Sequence, residues 1–292
     1  MSKRTNRIGR HLPTSGGLDK TLQRARKLGC ETVQVFVSNP QGWAPPNPRP
    51  DAREFAEGAR AMGLSPVVAH AKYLINLASR DEEQRERSVE ALAHELIAAG
   101  HIGAELVVVH SGSHGGDGEK LGMERLVEGI ERAREAAVEL AAPGHPVAEP
   151  VVENSVGAGT QLCSTFGALA EVARRAGARV CVDTAHAFVA GYDLSTPDGA
   201  GEVAAELRAG IDSGIALIHL NDARNEFGSR RDGHRRIGEG QVPEECWTSF
   251  LGGLPGVPVV METPFGDPEI DAEQIRRVKD LAVGLPNSSK GI

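Results

Sequence analysis

No stretch of about 18 apolar residues occurs in this 292-residue chain, so no membrane span is expected. The basic N-terminus, MSKRTNRIGRH, has no apolar segment after it, which argues against a secretory signal. Cysteine is scarce: Cys30, Cys163, Cys181 and Cys246 complete the set, and none forms a CxxC pair. Cys30 and Cys181 lie in apolar surroundings and read as small buried hydrophobes. The expected setting is a reducing, bacterial-type cytoplasm without disulfides. Short internal repeats and low-complexity blocks are also missing. Positive charge is in deficit, with a formal net charge of −8. Taken alone, that argues against a nucleic-acid partner. The count includes every carboxylate, however, including any that would hold metal, so it says little about the field at one mouth of the fold.

What is present is an ordinary globular composition with a coarse alternation. Short β-branched runs end in polar residues, and amphipathic Ala/Leu/Glu/Arg segments follow them. Strand candidates lie around Ile8 and at 33–37, 66–70, 106–110, 150–153, 179–183, 215–220 and 257–262. Helical patterns include LDKTLQRARKLG, AREFAEGARAMG, DEEQRERSVEALAHELIAAGHIG, MERLVEGIERAREAAVELA, TFGALAEVARRAG and GEVAAELRAGIDSG, several ending in the glycine that favours a helix stop. Asp81 ahead of Glu82 and Glu83 reads as a helix start. Strands alternating with helices imply a parallel sheet. Eight such units suit an α/β fold, a single (β/α)8 TIM barrel spanning residues 1–292, with 285–292 as a frayed tail. A doubly wound open sheet is the alternative.

The polar residues favour the barrel. Six consecutive apolar runs terminate in His70, His110, Glu153, Asp183, His219 and Glu262. In a barrel these strand ends converge on one mouth, where active sites of this fold sit. An open sheet would spread them along a line. Shorter motifs add to the set. DTAH spaces Asp183 and His186 by three, and DGH spaces Asp232 and His234 by two around a glycine. HSGSH follows the fourth run, with His114 read as structural and Ser111, Gly112 and Ser113 as possible donors. The loop from His219 to Gly240 carries Arg224, Arg230, Arg231, Arg235 and Arg236. Imidazoles with a carboxylate suit zinc, and arginines beside them suit phosphate.

Seven segments from His11 to Glu262 resemble the endonuclease IV family of zinc-dependent apurinic/apyrimidinic endonucleases. They are HLPTSGGL, HAKYLINLAS, VVVHSGSH, VENSVGAG, VCVDTAHAFVAGYDLSTP, IHLNDARNEFGSRRDGHRRIGEG and VVMETP. The resemblance implies a (β/α)8 barrel with three zinc ions in its C-terminal mouth. His70 and His110 would hold the first, Glu153 would bridge the first and second, and Asp183, His219 and Glu262 would complete the second. His186, Asp232 and His234 would hold the third. Manganese is the alternative occupant of a mixed His/carboxylate site. The implied DNA contacts are His11, Asn39, Gln41, Trp43, the wedge candidates Tyr73 and Leu74, and the arginines Arg224, Arg230 and Arg231. Two features depart from the family pattern. His11 is followed by Leu-Pro-Thr, and Gln41 stands where some members carry arginine.

The reaction implied is hydrolysis of double-stranded DNA 5′ to an abasic site, leaving a 3′-hydroxyl and a 5′-deoxyribose phosphate, with removal of 3′ blocking groups as companion activity. Clustered divalent ions lower the pKa of a water and clamp attacking and leaving oxygens. A metal-bridging hydroxide is the expected nucleophile, with Glu153 as the catalytic bridge and no serine or cysteine needed. Recognition follows from an abasic nucleotide being easy to extrude and DNA being easily kinked there. No obligate protein partner is evident. One rival reading is a sugar isomerase or epimerase on a similar barrel, which the third metal group argues against. Another is a non-catalytic DNA-binding barrel, which the complete ligand set argues against.

Overall fold

The computed structural model describes residues 5–212 and 214–284. Seven strands come first: β1 (Ile8–His11), β2 (Thr32–Phe36), β3 (Val67–His70), β4 (Leu106–His110), β5 (Glu149–Glu153), β6 (Arg179–Asp183) and β7 (Ile215–His219). A two-residue hairpin follows, β8 (Asp222–Ala223) with β9 (His234–Arg235), and then β10 (Val259–Met261). The first seven strands and β10 close into a parallel barrel in chain order, with Ile8 opposite Val259 at the seam. Closure excludes the open doubly wound sheet.

These strands are buried on both faces, which is why they read as continuous apolar runs rather than alternating ones. Val68, Leu106, Val108, Val151, Cys181 and Val260 belong to a core cluster made only of strand residues. Such a cluster fills the inside of a barrel. The larger core lies between the strands and the helices. The helices are α1 (Leu18–Leu28), α2 (Ala52–Ala61), α3 (Glu82–His101), α4 (Glu119–Leu140), α5 (Phe166–Arg175), α6 (Thr184–Ala190), α7 (Pro197–Gly210), α8 (Glu244–Gly253) and α9 (Pro268–Ala282).

Local chemistry sets their ends. Asp81 caps α3 by accepting the Gln84 amide at 3.2 Å, as its place before two glutamates implies. Gly29 ends α1 in the left-handed region, φ 73°, where a side chain would be strained. Helix α7 begins earlier than its Ala/Leu/Glu pattern, because Thr196 caps the Gly199 amide at 3.1 Å and Pro197 takes the first turn. YLINLAS forms no helix; the chain stays irregular from 71 to 81. All four cysteines are buried and unbonded. Among the described residues no helix is long and apolar enough to cross a membrane. The expected frayed tail, 285–292, lies outside the described residues.

Candidate metal centre at the mouth of the barrel

His70, His110, Glu153, Asp183 and His219 are each the last residue of their strand, and Glu262 is one residue beyond β10. Parallel closure therefore brings all six to one end. Of these, His70, His110 and Glu262 line a cavity of about 710 Å³, shared with His11, Phe36, Tyr73, His186, Asp232, His234 and Phe265. The donor atoms fall into groups no wider than 4.8 Å: His70 with His110 and Glu153; Glu153 with Asp183, His219 and Glu262; and Asp183 with His186 and His234. The first two coincide with the expected groupings. In the third, Asp183 takes the place expected of Asp232. Asp232 is nevertheless close, 3.4 Å from His186 Nε2 and 3.5 Å from His234 Nε2. The Cys181 sulfur joins Glu153 and His219 in a further group. Burial pushes that thiol up to about 12.

Two devices bring in the third group. Helix α6 is capped by Asp183 itself, whose Oδ1 accepts the His186 amide at 2.7 Å, so one carboxylate both stops β6 and starts the turn bearing His186. His234 sits on the hairpin, opposite Ala223. The Asp222 carboxylate accepts amides from Gly238, Gly240 and Val242 at 2.9–3.0 Å and so fastens the returning limb. Gly233 is needed for closeness: a Cβ there would stand 3.1 Å from the Arg224 Cβ.

The imidazoles are oriented from behind. His70 Nδ1 donates to the Ala71 carbonyl at 2.7 Å, and His186 Nδ1 to the Asn154 carbonyl at 2.9 Å. Their Nε2 atoms are then free to face the cluster. Asn221 donates to Asp183 Oδ2 at 2.6 Å and accepts the Glu262 amide at 2.8 Å. Gln34, Asn154 and Asn221 were not singled out from the sequence. The one available signal was a glutamine inside the apolar run TVQVF.

Charge shows why the donors suit cations. The ion pairs of Glu153, Asp183, Asp232 and Glu262 among the described residues are all with histidines. Neither lysine nor arginine takes part. Glu153 Oε2 and His234 Nε2 are buried without a hydrogen-bond partner. Burial alone would raise the Glu153 carboxyl, yet His219, His70 and His110 hold it well below the carboxylate range. Burial likewise opposes charge on His186, but Asp183, Asp232 and Glu153 raise it to about 10. A buried anionic cluster with orphaned donor atoms and mixed N/O chemistry fits divalent ions such as zinc.

A family model described as a xylose isomerase-like TIM barrel matches residues 22–281. A protein named probable endonuclease 4 from Methanoculleus marisnigri is 36% identical over 283 residues, covering 94% of this chain and 98% of that relative. The solved structure of endonuclease IV from Thermus thermophilus superposes with a TM-score of 0.81 at 34% identity, covering 94% of this chain and 98% of the other. The chain belongs to the endonuclease IV family. That membership makes it an enzyme, a hydrolase of the endonuclease class. A D-tagatose 3-epimerase-like protein superposes with a TM-score of 0.70 at 18% identity, a likeness of fold alone.

Of the remaining candidates in this endonuclease IV family member, His11 and Tyr73 line the cavity. Tyr73 is 54% exposed, its ring 5.5 Å from Phe36 and 5.6 Å from His70, so it stands over the cavity rather than in the core. Leu74 is half-buried. Asn39 and Gln41 are exposed, and Asn39 Oδ1 accepts the Gln41 amide at 3.0 Å, shaping the turn that presents Gln41. The Tyr73 amide donates to the Pro40 carbonyl at 3.0 Å, joining the two loops. Trp43 is half-buried and covered by the Arg87 guanidinium at 4.6 Å. Arg224, Arg230 and Arg231 line the loop between β8 and β9. In the HSGSH loop, His114 Nδ1 accepts amides from Gly116 and Gly118, the structural role expected of it. The hydroxyls there are spent internally, Ser111 on the Leu162 carbonyl and Ser113 on Thr160.

Proposed function

We propose that this chain is a DNA repair enzyme that hydrolyses the phosphodiester 5′ to an abasic site in double-stranded DNA. The products are a 3′-hydroxyl and a 5′-deoxyribose phosphate, and the same hydrolysis clears 3′ blocking groups. Water adds its oxygen to phosphorus, the bond to the upstream 3′ oxygen breaks, and that oxygen takes a proton. The enzyme works in the cytoplasm, on chromosomal DNA, without a required protein partner.

The observation that carries this reading is the third donor group. His186 and His234 stand with Asp183 and Asp232 beside the Glu153 cluster, and sugar isomerisation has no need of them. Three zinc ions are assigned. His70, His110 and Glu153 would hold one, Glu153, Asp183, His219 and Glu262 a second, and His186, Asp232 and His234 a third, with manganese as the alternative at one of them. When bound, such ions lower the pKa of water and neutralise charge on the attacked phosphodiester. The chain's own residues do the rest. Glu153, as the shared carboxylate, sets the spacing of the centre. Exposed Tyr73, with Leu74 behind it, wedges into the duplex where the missing base leaves a gap. Gln41 fills the same gap by hydrogen bonding in place of an arginine. His11, Asn39 and Trp43 shape that grip, and Arg224, Arg230 and Arg231 bind flanking phosphates.

The test is a labelled duplex with one synthetic abasic site. The expected result is a single nick on the 5′ side, leaving an end that a polymerase extends, and its loss after chelation. An intact duplex alongside keto–aldose turnover of a free sugar would overturn the reading.

A further inference from the structure

Gln34 lies in the middle of β2, fully buried, between the equally buried Val33 and Val35. Packing alone gives no reason for an amide there, since burying one is costly unless its polar atoms are satisfied. Here they are. Nε2 donates to Glu262 Oε1 at 2.6 Å and lies 3.0 Å from His11 Nδ1. Oε1 lies 2.9 Å from His219 Nε2.

These partners leave the amide one orientation. A carboxylate oxygen only accepts, so the NH2 group faces Glu262. Oε1 then faces His219 and can only accept, so His219 Nε2 carries a proton. The other nitrogen, Nδ1, lies 3.0 Å from Glu153 Oε1 and 3.2 Å from Glu262 Oε2, inside the donor group. On the far side, the second amide proton goes to His11 Nδ1. A neutral His11 therefore carries its proton on Nε2, and its ring lines the cavity.

We propose that Gln34 is a positioning residue for the metal centre. It directs His219 to bind an ion through Nδ1, steadies Glu262 through Oε1, and leaves His11 as a neutral N–H donor facing the substrate. It contributes no ligand atom. One amide thus sets two imidazole tautomers and one carboxylate rotamer. Such outer hydrogen bonds are typically worth about 10–100-fold in metal affinity. The inference rests on the reading above that the His219 and Glu262 group holds a divalent ion.

The experiment titrates zinc against a chromophoric chelator in the full-length protein and in Gln34→Leu, alongside long-range 15N spectra of the histidine rings. The His219 signals are assigned by their loss in His219→Gln. The expected result is one zinc ion weakened by about 10–100-fold in Gln34→Leu. In the zinc-loaded wild type, His219 should be protonated at Nε2 and metal-bound at Nδ1. The spectrum decides the question even if Gln34→Leu fails to fold. Unchanged affinity for every ion in Gln34→Leu, or a wild-type His219 bound through Nε2, would overturn this inference and leave the proposed function standing. A wild-type protein that binds no zinc would overturn both.

Discussion

Lys72 and Glu95 form an ion pair at 3.4 Å with both side chains buried. Lys72 Nζ also donates to the Ala44 carbonyl at 2.8 Å, and the Ser38 hydroxyl donates to Glu95. The pair therefore ties the loop carrying Gln41 to the loop carrying Tyr73, with α3 as the anchor. At an effective dielectric of about 20, two charges at that separation attract by about 5 kcal/mol, before the cost of removing both from water. Lys72→Met strands the carboxylate, and breaking one partner of a buried pair costs about 3–5 kcal/mol. At roughly 2–4 °C per kcal/mol for a large domain, Tm should fall by roughly 6–20 °C. Lys72→Met combined with Glu95→Leu removes both charges and should recover most of the loss. pH supplies a second arm. Burial raises the Glu95 carboxyl above its ordinary value of 4.5, and losing Lys72 raises it further. A raised group contributes stability that is full below its unfolded value and lost as pH rises through the folded one. The Lys72→Met deficit should therefore be smaller near pH 5 than near pH 7.5. Thermal melting followed by near-UV circular dichroism reads all three proteins. A single variant that melts with the wild type, or a double variant no better than the single, would refute the reasoning.

Glu153→Gln should abolish incision while the far-UV spectrum stays native, because an amide cannot bridge two cations; normal cutting by this variant would contradict the bridging role. Loading the apo protein with zinc near pH 7.5 should release protons, since His186 is held up to about 10 and must lose its proton to bind metal. Calorimetry in buffers of different ionisation enthalpy measures that release, and zero release would count against it. In the apo protein the His186 contribution to stability is complete below about 6.5 and is lost as pH rises through about 10, so apo Tm should decline across that window. Gln41→Ala should weaken binding to abasic duplex more than to intact duplex in a titration of both; equal weakening would make Gln41 an ordinary surface residue.

The barrel was legible because its strands are apolar on both faces and end abruptly in His, Glu or Asp. That pattern marks the metal-competent residues of β3 to β7, and Glu262 after β10. Less visible elements were those whose stability is tertiary. The β8–β9 hairpin pairs only two residues on each side, and its closure depends on the Asp222 carboxylate gathering three amides from Gly238, Gly240 and Val242. Helix α6 is seven residues long and capped by the ligand candidate Asp183, too short for a helical periodicity to show. The helical pattern before β7 concealed its own start, which Thr196 and Pro197 mark. Supporting residues were hidden for a different reason. Arg10 meets Asp271 at 2.6 Å across 261 positions, and Gln34 meets His219 across 185. Nothing in the local spacing of either pair announces the contact. A buried polar residue within an apolar strand is the usable clue, and both Arg10 and Gln34 are of that kind.

Anomalous scattering from crystals grown with zinc, measured on both sides of the zinc absorption edge, tests the central claim most directly because it counts and places the ions together. Three peaks are expected: one among His70, His110 and Glu153, one among Glu153, Asp183, His219 and Glu262, and one at His186 and His234 with Asp232. One or two peaks, with nothing between His186 and His234, would contradict the three-ion centre.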